Sequence, residues 1–95
     1  MTTLNELRDQ IYEIDQQLVK LLQIRMELAI RIGKEKNLQN LPIINQNQEK
    51  MVLKKVFLNG HDPLEPDQLK EIFITIIRIS REIQLNHFNK IQNGK

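Results

Sequence analysis

Ninety-five residues allow one domain and no more, and a chain this short fills only a modest core of its own. Its apolar residues are mostly Ile, Leu and Val, with only Tyr12, Phe57, Phe73 and Phe88 aromatic, and it has no cysteine, which excludes disulfides, thiolate metal sites and cysteine nucleophiles. Fourteen basic residues are interspersed with twelve acidic ones, for a formal charge of +2; they form no basic block or stripe, so no nucleic-acid partner is expected.

The chain opens with a polar, periodic stretch from Met1 to Asp9, without the basic-then-apolar pattern of a secretory signal. No apolar run approaches the ~20 residues a membrane-spanning helix requires, so no membrane partner is expected and a cytoplasmic location is inferred by default. From Leu4 to about Lys36 there is no proline, and no glycine before Gly33. Leu4, Leu7, Ile11, Ile14, Leu18 and Leu21 recur in steps of three and four, and Leu28 and Ile32 resume that register. The spacing predicts one long helix with a heptad-like stripe, capped by Thr3 or Thr2, with Glu6 in its first turn. At ~1.5 Å per residue such a rod extends ~50 Å, too long for the rest of one chain to cover. A second copy is therefore expected.

Asn37 to Asn47 reads as a loop containing Pro42. A shorter helix follows from about Gln46 to Leu58, with Val52, Leu53, Val56 and Phe57 inward, and Gly60 is its expected terminator. A third helix is expected from Pro66, a favoured residue at a first helical position. Its stripe is Leu69, Ile72, Phe73, Ile76, Ile77 and Ile83, fraying after Phe88 into a polar tail over 89–95. The expected fold is thus all-α, one domain over 1–95, with long, short and medium helices.

Polar residues that interrupt the apolar stripes carry the functional signal. Arg25 falls on the seam between Leu21 and Leu28, and an uncompensated guanidinium there costs several kcal/mol. It either pairs with a carboxylate of the protein or binds an anionic ligand. Lys36 lies eleven residues on, about three turns along the same face and ~16 Å away. It either complements the helix carboxyl terminus or grips a ligand together with Arg25. Arg8, ~25 Å from Arg25 along the rod, is either a solvated flank residue pairing with Glu13 or Asp15, or reaches such a ligand from an antiparallel partner helix.

Ser80 and Gln84 stand one turn apart where further Leu or Ile is expected, and buried hydroxyl and amide groups need partners. Ser80 either back-bonds to a helix carbonyl or serves a site. Glu49 is either a favourable acid at a helix start or a functional carboxylate. His61 and His87 lack metal-ligand spacing and read as surface residues; neither a metal nor a cofactor is expected.

That residue set in that helical order resembles the all-helical chorismate mutases, small three-helix domains entwined as homodimers. The resemblance covers about Leu4 to Phe88. It is carried by Leu7-Arg8, Ile14-Asp15, Arg25 with Glu27-Leu28-Ala29, Gly33-Lys34, Lys36, Pro42, Glu49, and Ser80 with Gln84. It implies that Arg25 and the Arg8 of a second copy hold the two carboxylates of chorismate, and that Lys36 and Gln84 hydrogen-bond the ether oxygen. It further implies that Glu49 receives the ring hydroxyl and that Ser80 lies near the ring carboxylate. Asn45 stands where that family commonly has Asp, and Gln48 where it commonly has Arg; both are expected to face substrate. The cation lost at Gln48 is expected to lower affinity or rate, whereas Asn45 is the milder change because its backbone can still contact a hydroxyl. Rearrangement of chorismate to prephenate requires positioned donors rather than a nucleophile, proton shuttle or metal. Two alternatives stand beside it: an isochorismate-pyruvate lyase on a related scaffold, and a non-catalytic dimerisation or regulatory module.

Overall fold

The computed structural model describes residues 2–93, and side chains from Thr2 to Phe88. It has three α-helices, α1 (Leu4–Leu38), α2 (Gln46–Leu58) and α3 (Pro66–Asn93), and no strand among the described residues. The all-α, long–short–medium order is the one expected from periodicity.

Thr3 caps α1 through a capping box. Its hydroxyl accepts the Glu6 amide at 3.2 Å, and the Glu6 carboxylate accepts the Thr3 amide at 3.4 Å. The helix continues past Lys36 to Leu38, and the chain reverses at Asn40, whose φ of 58° is one that asparagine tolerates better than most side chains. Asn45 caps α2, its side-chain oxygen accepting the Gln48 amide at 3.1 Å. Pro66 occupies the first position of α3, and Gln68 reaches back to accept the Glu65 amide at 3.0 Å.

Gly60 stands just past the Asn59 cap of α2, where a terminator is expected; its φ is not positive, but a Cβ there would lie 2.3 Å from the Cα of Pro66. One expectation needs correction. The third helix does not end at Phe88; its backbone continues to Asn93, and only Gly94 and Lys95 of the expected tail lie outside the described residues.

Packing runs through α3, which contacts both α1 and α2, while α1 and α2 do not pack on each other. Among the described residues the buried apolar set is small, Ala29 and Ile77, with Gly33 and Ser80 beside them. The amino-terminal half of α1 projects beyond this packing. Leu4, Leu7, Ile11, Ile14, Leu18 and Leu21 are all exposed, from 48% to 63%. The molecule measures 60 × 28 × 15 Å with a radius of gyration of 17.1 Å, against ~12 Å for a compact chain of this length. No helix of the described residues is long and apolar enough to cross a membrane.

Candidate active site

A cavity of about 300 Å³ opens between the carboxyl-terminal half of α1, the start of α2 and the middle of α3. Arg25, Lys36, Asn45, Gln48, Glu49, Ser80 and Gln84 all line it, together with Arg81 and an apolar floor that includes Leu28, Ile32, Val52 and Ile77. Seven of the eight residues expected at a site are thus brought together from three helices. Arg8 is not among them: it is exposed near the far end of α1.

The helix geometry explains the convergence. Arg25, Ala29 and Lys36 fall on the face of α1 that meets α3, and Ile77, Ser80, Arg81 and Gln84 form the opposing face one and two turns along. Arg25 is half-buried and donates from Nη1 to Ser80 Oγ at 2.6 Å. Ser80 Oγ in turn is 2.8 Å from the Ile76 carbonyl and 3.3 Å from Met26 Sδ, either of which can take its single proton. The back-bond expected of a helical serine is thus available, and the same hydroxyl accepts from Arg25 and orients its guanidinium.

Gln84 donates from Nε2 to the Ala29 carbonyl at 2.8 Å, and Lys36 donates from Nζ to the Ile43 carbonyl at 2.8 Å. Each contact fixes a side chain without exhausting it. Gln84 keeps its second amide proton, Lys36 two ammonium protons, and Arg25 four of its five N–H groups. Among the described residues neither Arg25 nor Lys36 has a carboxylate partner. The protein counter-charge considered for Arg25 from sequence is a neutral hydroxyl instead.

Glu49 does have a partner, and it is a residue that the sequence reading did not single out. Arg81 donates from Nε to Oε2 at 3.2 Å and from Nη2 to Oε1 at 2.5 Å, a bidentate pair joining α3 to α2. The hydrogen bonds to Glu49, reinforced by its charge, hold Arg81 still more firmly protonated than a free guanidinium, and desolvation opposes this only partly. Attention to polar residues within the apolar stripe passes over Arg81 because it flanks that stripe. The available signal is its position four residues after Ile77 and three before Gln84. The cavity thus holds three cations and one carboxylate, an excess of two positive charges.

Asn45 and Gln48 are exposed at the cavity mouth, and the Asn45 side chain is engaged in capping α2. His61 is exposed, whereas His87 is half-buried in a small separate recess beside Gly33 and Phe88 rather than on the surface as expected. Among the described residues no group of His, Cys, Asp and Glu is arranged to hold a metal ion.

The described residues form an all-helical domain whose cavity carries an excess of two positive charges and is lined by hydrogen-bond donors. The chain belongs to the chorismate mutase type II family, whose model matches residues 7–85. A similar solved structure is that of chorismate mutase from Helicobacter pylori in complex with prephenate. It has a TM-score of 0.82 at 30% identity and covers 92% of this chain and 94% of that one. A curated relative is the bifunctional chorismate mutase/prephenate dehydratase of Aquifex aeolicus (strain VF5), 41% identical over 56 residues. That match takes in 59% of this chain and only 16% of the relative, so the chain corresponds to a small part of that protein.

Proposed function

We propose that this chain carries out the reaction for which its family is named, rearranging chorismate to prephenate, as a homodimer whose sites are completed across the interface. The observation that carries the reading is the pair Arg25 and Lys36: two cations in one cavity, each anchored by a neutral acceptor and neither matched by a protein carboxylate among the described residues. A half-buried cation without a counter-ion is costly, and a dianionic ligand removes that cost.

The reaction is unimolecular. The ether C–O bond breaks as a C–C bond forms elsewhere in the same molecule, and no atom enters or leaves. The site's task is to hold the compact conformer and to place donors where negative charge develops. Arg25, oriented by Ser80, takes one substrate carboxylate. Lys36 and Gln84 direct their remaining N–H groups at the ether oxygen, which gains charge as its bond lengthens. Glu49 accepts the ring hydroxyl, while Asn45 and Gln48 flank the mouth. Donors matched to charge separation favour the transition state over bound substrate, which raises the rate.

The second carboxylate falls to Arg8 of a second copy, since Arg8 of the same chain is ~25 Å along the rod from Arg25. The uncovered stripe from Leu4 to Leu21 supports that second copy independently, because six large aliphatic side chains on one face find no cover within the chain.

The test is to incubate the purified chain with chorismate and identify the product, with Arg25→Ala and Gln84→Ala alongside. Prephenate is the expected product, and loss of either positioned donor is expected to lower kcat/KM by about 10²–10³-fold. A folded chain that leaves chorismate unchanged overturns the reading. Turnover of isochorismate to pyruvate and salicylate would then favour the lyase, and inactivity toward both a non-catalytic helical module.

A further inference from the structure

We propose that Arg81 is a positioning residue that holds the Glu49 carboxylate away from Arg25 and Lys36, keeping those two cations open for substrate. The inference rests on the mutase reading above. Among the described residues Glu49 is the single carboxylate lining the cavity, which it shares with Arg25 and Lys36. An unrestrained carboxylate there is drawn to whichever cation it can reach and competes with the carboxylates of an incoming dianion.

Arg81 removes that competition. Its planar fork engages both Glu49 oxygens and uses one lone pair on each, which leaves acceptor capacity for a hydroxyl. The topology makes this contact decisive for placement. Because α2 packs on α3 and not on α1, the position of Glu49 relative to the α1 cations is set through α3, and Arg81 is the polar link at that point. With side chains 36% and 24% exposed, the pair is half-buried and bidentate, so it ties α2 to α3 as well as placing the carboxylate, and melting temperature is followed beside the kinetics for that reason. The placement is read in the kinetics of the site.

The test measures kcat and KM for chorismate, with melting temperature and helical content, for the full chain and for Arg81→Met, Arg81→Lys, Glu49→Ala and the Arg81→Met/Glu49→Ala double variant. Arg81→Met is expected to raise KM about tenfold with kcat within about twofold, and Arg81→Lys to recover part of the loss. In the Glu49→Ala background, where no carboxylate remains to be restrained, Arg81→Met is expected to change KM by less than about threefold. Unchanged constants in Arg81→Met overturn the inference, whatever its melting temperature. Equal losses in both backgrounds also overturn it, because Arg81 would then act on substrate directly. Should Arg81→Met not fold, Arg81→Gln, which stays polar but loses the charge and the fork, decides: a raised KM with kcat within about twofold supports the role, and unchanged constants exclude it. A wild-type chain without turnover is a distinct result, and it removes the mutase reading together with this inference.

Discussion

Arg25 leaves the apolar seam of α1 with one hydroxyl for a partner, and its cost to the fold and its value to the site are opposite sides of the same placement. Replacing it by leucine removes a poorly compensated charge and extends the stripe of Leu21 and Leu28. Arg25→Leu is therefore expected to raise stability by about 1 kcal/mol in thermal unfolding while abolishing turnover. A more stable variant that still converts chorismate would contradict the site. Residues that break periodicity were legible in the sequence for this physical reason: a cation, a hydroxyl or an amide in an apolar stripe demands a partner. Which partner they take was not legible. Arg25 meets Ser80 across 55 positions and Gln84 meets Ala29 across 55, and helical periodicity says nothing about pairing between helices. Arg81 went unnoticed for a related reason, since a charged residue beside a stripe reads as solvated until α2 brings Glu49 to it.

At the scale of the element, helix starts follow from local chemistry. Thr3 with Glu6, Asn45 before Gln46, and Pro66 each satisfy or remove amides that a helix start leaves unpaired, so the three starts could be read from the chain. Helix ends are less marked, and both α1 and α3 run past their expected last residues. The two described glycines allow a matched comparison. At Gly33, inside α1, an added Cβ would lie 3.6 Å or more from Gln84 and Ile43, which is ordinary contact. Gly33→Ala is expected to stabilise the chain by about 0.5–1 kcal/mol. At Gly60 the same methyl group would strike the Pro66 backbone, and Gly60→Ala is expected to destabilise by about 1–3 kcal/mol. Denaturant unfolding of the two variants checks both signs, and a stabilised Gly60→Ala would refute the close approach.

The whole molecule is elongated and open at one end, the shape expected of a chain that completes its burial against the second copy proposed above. A 35-residue helix exposing Leu4 through Leu21 on one face, beside a buried apolar set of Ala29 and Ile77 among the described residues, leaves a large apolar face uncovered that the proposed second copy would bury. The melting temperature is accordingly expected to fall on dilution, as it does when folding and association are coupled. A concentration-independent melt with monomeric sedimentation would contradict this. Rod length is what raises the expectation of a second copy from sequence, whereas the cavity between α1, α2 and α3 depends on how α3 packs both other helices.

Subunit mixing addresses the central claim, chorismate rearrangement at sites shared between two copies. Arg8→Ala and Arg25→Ala chains are each expected to be inactive alone, having lost one substrate contact at every site. Unfolded together and refolded as a mixture, half of the dimers would carry one intact site, with Arg8 from one chain and Arg25 from the other. Prephenate formation is then expected to return to about a quarter of the wild-type rate. A mixture as inactive as its components, beside an active wild type, would place Arg8 outside the site and contradict the shared architecture.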